Sequence, residues 1–349
     1  MIRTAPHTIL LPAVLLGTLV IATGCGGADD RSTPTAAAAR TALVELPPGR
    51  IAFRRYLDDA QTHGAIFTIG TDGSGEQQLT RPEPRTVDDH PDFSPDGRLI
   101  AYERCSEGAG CSVWTVDADG GKPQKVRFRC RLKGDCDASG PAWTPDRRLA
   151  VTLAQGRVRT FGGEPAIQQS SIELIDLASG SQRTVYKRTR WSGDAQDPAV
   201  SPDSRTVIYK RWNSARSKPP LDAALFAVGI DGSNHHQVAS WELGGGDHAV
   251  FSPDGRILFR SFAEDDGRQS DFWTVRPDGT GLKQLTSFKE GTLVLSGSYS
   301  PDGAWIVHAS NGVGGNADLY VMRADGTGNR PLTRTEPWDS APDWGPVPR

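Results

Sequence analysis

The chain has 349 residues, 37% of them hydrophobic, with 39 Gly and 25 Pro. That profile suits many short strands joined by turns and speaks against an architecture of long helices. Charge is nearly balanced, 42 acidic against 39 basic residues for a net −3, and no Lys or Arg run stands out, which removes the compositional case for a nucleic-acid surface.

The first element in chain order is an export signal over residues 1–24. Arg3 precedes an apolar run from Ile9 to Ala22, broken by Pro12 and closed by Thr23-Gly24-Cys25. A positive residue, a short apolar stretch and small residues before a cut site are the parts of a secretory signal. The run is shorter than the roughly 20 residues that span a bilayer. The residues leading into Cys25 resemble a bacterial lipobox, so Cys25 is the expected lipidation site; ordinary cleavage nearby or an uncleaved anchor are the alternatives. Residues 25–48, rich in Ala, Thr, Ser, Asp, Gly and Pro, read as a flexible tether.

From residue 49 onward the chain repeats itself, which decides the fold before any other signal. Phe93-Ser94-Pro95-Asp96-Gly97 returns as Trp143-Thr144-Pro145-Asp146, Val200-Ser201-Pro202-Asp203, Phe251-Ser252-Pro253-Asp254-Gly255 and Tyr299-Ser300-Pro301-Asp302-Gly303, and ends truncated as Trp344-Gly345-Pro346. After each full copy come two strand-like runs, such as Leu99–Tyr102 and Val113–Val116. An Asp-Gly hairpin signal follows, at Asp72, Asp119, Asp231, Asp278 and Asp325. One unit is therefore four short antiparallel strands, and units of this period read as propeller blades. Before the first Ser-Pro-Asp-Gly the chain holds strands two to four of a unit, starting at Arg50–Phe53. At its end it holds only a first strand, Pro342–Trp344. The expected fold is all-β: a six-bladed β-propeller of four-stranded blades over 49–349, the last blade closed by N- and C-terminal strands. Closure removes sheet edges that would otherwise invite aggregation.

Without Cys25, four cysteines remain: Cys105, Cys111, Cys130 and Cys136. An even count in an exported chain points to disulfides, and the C-x₅-C spacings differ from the C-x₂-C of common zinc sites. Local bridges 105–111 and 130–136 and the nested pairing 111–130 with 105–136 are both open.

The Pro-x-aromatic-Ser-Pro-Asp-Gly and Asp-Gly-x-Gly-x-x-x-Leu-Thr signatures resemble the WD40-like propeller repeat of the TolB type, over about residues 49 to 346. The resemblance implies that the first strand of each blade is innermost, and that loops entering it share one face with the loops between strands two and three. It also implies a periplasmic, protein-binding role. TolB proteins carry an α/β domain ahead of the propeller where this chain has the tether, which sets the expectation apart from TolB's own role. No Gly-x-Ser-x-Gly elbow is present, which argues against a serine peptidase.

On that face, the residues ahead of each Pro-x-aromatic segment place Asp89, His90, Asp197, Asp247 and His248 at the channel mouth. His and carboxylate side chains are competent ligands and acid–base groups. They are the candidate ligand- or partner-binding residues, with a solvating or capping role as the bland alternative; no catalytic residue, metal or cofactor is assigned. The repeated hairpin Asp residues read as turn chemistry, not calcium ligands, and His235-His236 as surface residues. The loops 154–169 and 213–222 and the tryptophans Trp191, Trp241 and Trp338 offer Arg and aromatic contacts on the same face. The expected function is a lipid-anchored, non-catalytic scaffold of the cell envelope, monomeric, binding a protein, peptide or glycan and no nucleic acid. A metal-dependent lyase or other enzyme at the channel mouth, and a small-ligand sensor, are the alternatives.

Overall fold

The computed structural model describes residues 46–131, 136–159, 165–187, 195–212, 223–262, 269–313 and 315–347. The export signal, Cys25 and nearly all of the tether lie outside the described residues, as do Trp191, Phe161 and the segment 213–222.

The regular structure of the described chain is almost entirely strand. The first eight-stranded sheet holds β1 (Arg50–Tyr56), β2 (Gly64–Gly70), β3 (Gln77–Gln78), β4 (Thr86–Phe93), β5 (Leu99–Ser106), β6 (Gly110–Asp117) and β7 (Gln124–Lys125), plus the last strand of the chain. A four-stranded sheet follows: β8 (Cys136–Trp143), β9 (Leu149–Arg159), β10 (Pro165–Ile175) and β11 (Gln182–Lys187). The next holds β12 (Ala195–Val200), β13 (Thr206–Trp212), β14 (Ala223–Gly229) and β15 (His236–Gln237). Then come β16 (Asp247–Phe251), β17 (Ile257–Phe262), β18 (Ser270–Val275) and β19 (Lys283–Gln284), and after them β20 (Thr292–Tyr299), β21 (Trp305–Val313), β22 (Asp318–Arg323) and β23 (Arg330–Pro331). The closing strand is β24 (Asp339–Gly345). It pairs antiparallel with β1, so the two ends of the described chain share one sheet. The eight-stranded sheet is two antiparallel ladders, β24-β1-β2-β3 and β4-β5-β6-β7, joined by the single parallel pair Gly64–Val87. This is a β-propeller.

The core lies between neighbouring sheets. Ile51, Phe53, Phe67 and Trp344 of one sheet pack on Trp305, Val307 and Leu319 of the next. Second strands bury both faces in this arrangement, which is why Ile51-Ala52-Phe53 and Ile100-Ala101-Tyr102 read as continuous apolar runs rather than alternating ones. Leu46 already packs on this core, and Thr71 Oγ1 donates to the Pro47 carbonyl at 3.0 Å.

The repeated Asp residues are used locally. Ser94 Oγ donates to Asp96 Oδ1 at 2.7 Å and accepts from Leu99 N at 2.9 Å, and Ser201–Asp203 and Ser300–Asp302 repeat the first bond at 2.6 Å. In the hairpins, Asp72, Asp231, Asp278 and Asp325 each accept a backbone N–H and a hydroxyl from the residue two places on. These bonds hold the carboxyls below their usual range, as turn-forming Asp side chains should be.

One local expectation changes. Residues 154–159 and 165–169 are strand and not loop: β9 and β10 run on as a paired ladder, with Gln155 opposite Gln169 and Arg159 opposite Pro165. Extending the ladder satisfies backbone groups that a long loop would leave to water. His235 is exposed yet partnered: its ring stacks on Phe226 at 5.5 Å and Tyr186 at 4.9 Å and bonds the Tyr209 hydroxyl at 2.5 Å.

Candidate functional site at the propeller axis

The innermost strands are β4, β8, β12, β16, β20 and β24. Five of them carry the same irregularity against their second strand. Asp89 faces Glu103 but Asp92 faces Ala101, so three residues span what two span opposite; the same count holds at Ser139–Ala142, Gln196–Ala199, Asp247–Val250 and Ser340–Asp343. This is a β-bulge. The bulged residue sits in the left-handed region: His90 (φ 51°), Gly140 (55°), Asp197 (51°), His248 (47°) and Ala341 (51°). Proline follows in four of the five, where its missing N–H does no harm because the ladder is already open. In β20 the shift falls earlier, before Ser296, and the proline is absent. Non-glycine residues at positive φ are uncommon and strained, and they cluster at sites where side-chain placement matters. Here the bulge turns His90, Asp197 and His248 onto a narrow axial cavity of about 100 Å³.

Around that cavity the charges pair off. Arg54 of β1 donates to Asp89 and to Ser340 Oγ. His90 Nδ1 lies 2.9 Å from Glu103 Oε1, and Glu103 Oε2 accepts the Gly140 N–H at 2.9 Å. Lys210 Nζ lies 2.8 Å from Asp197 Oδ2. Across the axis, His90 and His248 stack with ring centroids 4.3 Å apart and Nε2 atoms 3.2 Å apart, a contact with room for one proton. Burial works against charge on His90, but Asp89, Glu103 and Asp197 outweigh it and raise its pKa to about 10. The imidazolium then donates from Nδ1 to Glu103 and from Nε2 to His248. Burial likewise opposes charge on Asp89, and Arg54 and His90 together hold its carboxyl below the usual range. Three cations thus face three carboxylates. One residue further out, Arg104 pairs through two bonds with Asp88, and Arg55 with Asp339. Asp247 pairs with Arg260 through the ladder; its side chain lies outside the described residues.

Asp89, His90 and Glu103 bring donor atoms within 4.8 Å of one another. They do not fit a metal centre, because Arg54 holds Asp89 and both ring nitrogens of His90 are engaged.

Several axial residues were not singled out from the sequence. Arg54, Glu103, Lys210 and Arg260 occupy one repeat position, directly after the second-strand aromatic (Phe53, Tyr102, Tyr209, Phe259). Aligning the copies at that aromatic would have exposed the charges. Asp92 and Asp343 occupy the x of Pro-x-aromatic, where other copies carry Ala142, Ala199, Val250 and Ser298. Asp92 Oδ2 accepts the Trp143 N–H at 2.5 Å, and Asp343 Oδ2 accepts the Phe93 N–H at 2.8 Å. Each carboxylate ties its own innermost strand to the neighbouring one.

The disulfides are local, Cys105–Cys111 and Cys130–Cys136. Cys105 and Cys111 face each other near the tip of the β5–β6 hairpin, and Cys136 opens β8. Asp137 Oδ1 accepts the Cys111 N–H at 3.3 Å, so the two braced loops touch. Both sit at the end of the molecule where β4 and β8 begin, the end that carries the charged ring. Trp241 lies in a 3₁₀ turn (Trp241–Leu243) edge-on to Phe226, 5.8 Å between centroids, and serves packing between sheets. Trp338 lines a surface groove with Tyr56 and Leu57.

No protein-family model matches the chain. The Tol-Pal system protein TolB of Anaeromyxobacter sp. is 30% identical over 203 residues, covering 55% of this chain and 44% of that protein. An uncharacterized peptidase, YuxL of Bacillus subtilis, is 25% identical over 167 residues, 41% of this chain and 24% of the peptidase. The chain thus spans less than half the length of these curated relatives. Among solved structures, TolB from Acinetobacter baumannii superposes with a TM-score of 0.63 at 18% identity, covering 86% of this chain and 67% of TolB. Oligogalacturonate lyase from Vibrio parahaemolyticus does so with a TM-score of 0.50 at 14% identity, covering 78% of this chain and 72% of the lyase. At these identities the structural likeness speaks to fold alone.

Proposed function

We propose that this chain, a β-propeller that resembles TolB, is a non-catalytic binding scaffold of the cell envelope. In this reading the propeller has six blades, hangs from a membrane through a lipid on Cys25 and the tether, and engages a protein partner with the face that carries the charged ring and the disulfide-braced loops. The observation that carries it is the closed charge network. Arg54–Asp89, His90–Glu103 and Lys210–Asp197 neutralise one another, which leaves a rigid surface in place of a poised acid, base or ligand set. Braced loops on a stiff ring also lose little freedom on binding. Likeness to Tol-Pal system TolB proteins supports the protein-partner class.

The test is site-resolved crosslinking on intact cells. A photoreactive residue at Glu107 or Asp59, on the ring face, should trap one reproducible partner. The same probe at Ser233, in a hairpin at the opposite end, should not. Capture that is absent, or indifferent to probe position, overturns the reading. A Cys25→Ala form that stays in the membrane fraction would remove the lipid anchor from it.

A further inference from the structure

Each innermost strand runs from the charged ring to a second opening, at the Ser-Pro-Asp turns. There the axis widens into an open bowl of about 730 Å³. Phe93, Trp143, Phe251, Tyr299 and Trp344 are among the residues that line it, though all but Phe251 are less than a tenth exposed because their rings pack between sheets. The turn prolines, from Pro95 round to Pro346, form its rim, and five of these six are exposed. Concave, mostly apolar spaces of roughly 300–1,000 Å³ with a few convergent polar groups are what small-ligand sites look like.

The bowl and the narrow cavity share Asp92, Ala142, Ala199, Val250, Ser298 and Asp343, so one passage narrows at this waist. Four of the six waist residues are small or apolar. The two carboxylates stand side by side on β4 and β24, which are adjacent strands. Asp92 accepts the Trp143 N–H, and Asp343 accepts the Phe93 N–H on one oxygen and the Ser298 hydroxyl at 2.7 Å on the other, which leaves each carboxylate with further lone pairs; other copies of the repeat hold together with Ala, Val or Ser at the same place. Past the waist the ring charges are already paired, and about 100 Å³ admits only a few water-sized groups.

We propose that the bowl and waist bind an organic ammonium ligand with an apolar body, the body resting against the proline rim and the Ala and Val side chains of the waist and the ammonium reaching Asp92 and Asp343. Charge complementarity selects this class: a half-buried carboxylate pair at the bottom of an apolar funnel is matched by one cation carried on apolar surface. Burial, with the like charge of Asp343 acting on Asp92, holds both carboxyls above their usual range, a penalty that a bound cation relieves. The site lies at the opposite end from the partner face and does not depend on the scaffold reading. The same ammonium chemistry is offered by a free amine and by the amino terminus of a peptide.

Calorimetric titration of the full chain with phenethylamine and with its neutral counterpart phenethyl alcohol tests it. The amine should bind about tenfold or more tightly than the alcohol, the factor that a single 1.4 kcal/mol ion pair produces. In the Asp92→Asn/Asp343→Asn variant, whose amide oxygens can still accept the Trp143 and Phe93 N–H groups, that preference should vanish. Ala199→Phe, which fills the waist and leaves both carboxylates in place, should lose amine binding, with thermal unfolding confirming that each variant is folded. A Phe-Ala-Ala amide with a free amino terminus that binds more tightly than its acetylated form identifies a peptide terminus as the source; binding of phenethylamine alone identifies a free amine. Equal binding of amine and alcohol, no binding of either, or a preference that survives in the Asn variant overturns the proposal.

Discussion

His90 shows how one residue combines backbone strain with charge. Its positive φ is tolerated because the bulge frees it from the ladder, and its proton is held by Asp89, Glu103 and Asp197. A histidine whose folded pKa is raised contributes stability that is complete below its unfolded value, near 6.5. That stability is lost as pH climbs through the folded value, near 10. Urea unfolding at stepped pH should therefore show the wild type losing stability between pH 7 and 10. His90→Asn, which keeps a side chain suited to positive φ, should flatten that slope; a slope unchanged in the variant would mean the proton is not held there. Legibility at this scale was uneven. Asp89, His90, Asp197 and His248 could be placed near the axis from their repeat positions. Their partners could not: the His90–His248 contact joins residues 158 apart in sequence, and the Phe93–Asp343 bond spans 250. No local pattern reports such pairs.

Contacts between elements depend on a few close approaches. A Cβ added at Gly345 in β24 would lie 2.5 Å from the Phe93 ring in β4. Gly345→Ala should cost about 1–3 kcal/mol, as overpacking does, visible as a lower melting temperature with cooperativity intact. The disulfides act on hairpins. Each closes a loop with a sequence separation of 6, and the chain-entropy model gives such a small loop about 2 kcal/mol. Reduction should speed hydrogen exchange in residues 105–111 and 128–131 while the second strands stay protected. Uniform loss of protection would show that the bridges hold the whole ring. Strand positions were largely legible because β-branched runs and Asp-Gly turns are local signals. The pairing of 154–159 with 165–169 is not legible in the sequence, because this polar, glycine-containing stretch becomes strand only in the presence of its partner.

Ring closure is a property of the whole molecule. β24 gives β1 its inner neighbour and puts Trp344 into the cluster with Ile51, Phe53 and Trp305. Deleting residues 339–349 would bare the edge of β1 and open that core. The expected outcome is loss of near-ultraviolet circular dichroism and association on gel filtration. A monomer with native spectra would show that the ring does not need this closure.

The sequence by itself determined the repeat, the turn chemistry, the all-β class and the pairing of the two chain ends in one sheet. All of these follow from periodic local signals and from counting which strands each end lacks. Only the tertiary structure decided which charges neutralise one another on the axis, which cysteines pair, and that Asp92 and Asp343 both line the waist beneath an open bowl. The reason is geometric. A propeller brings one residue from each distant repeat to a common axis, so the chemistry there is set by neighbours tens to hundreds of residues apart in the chain.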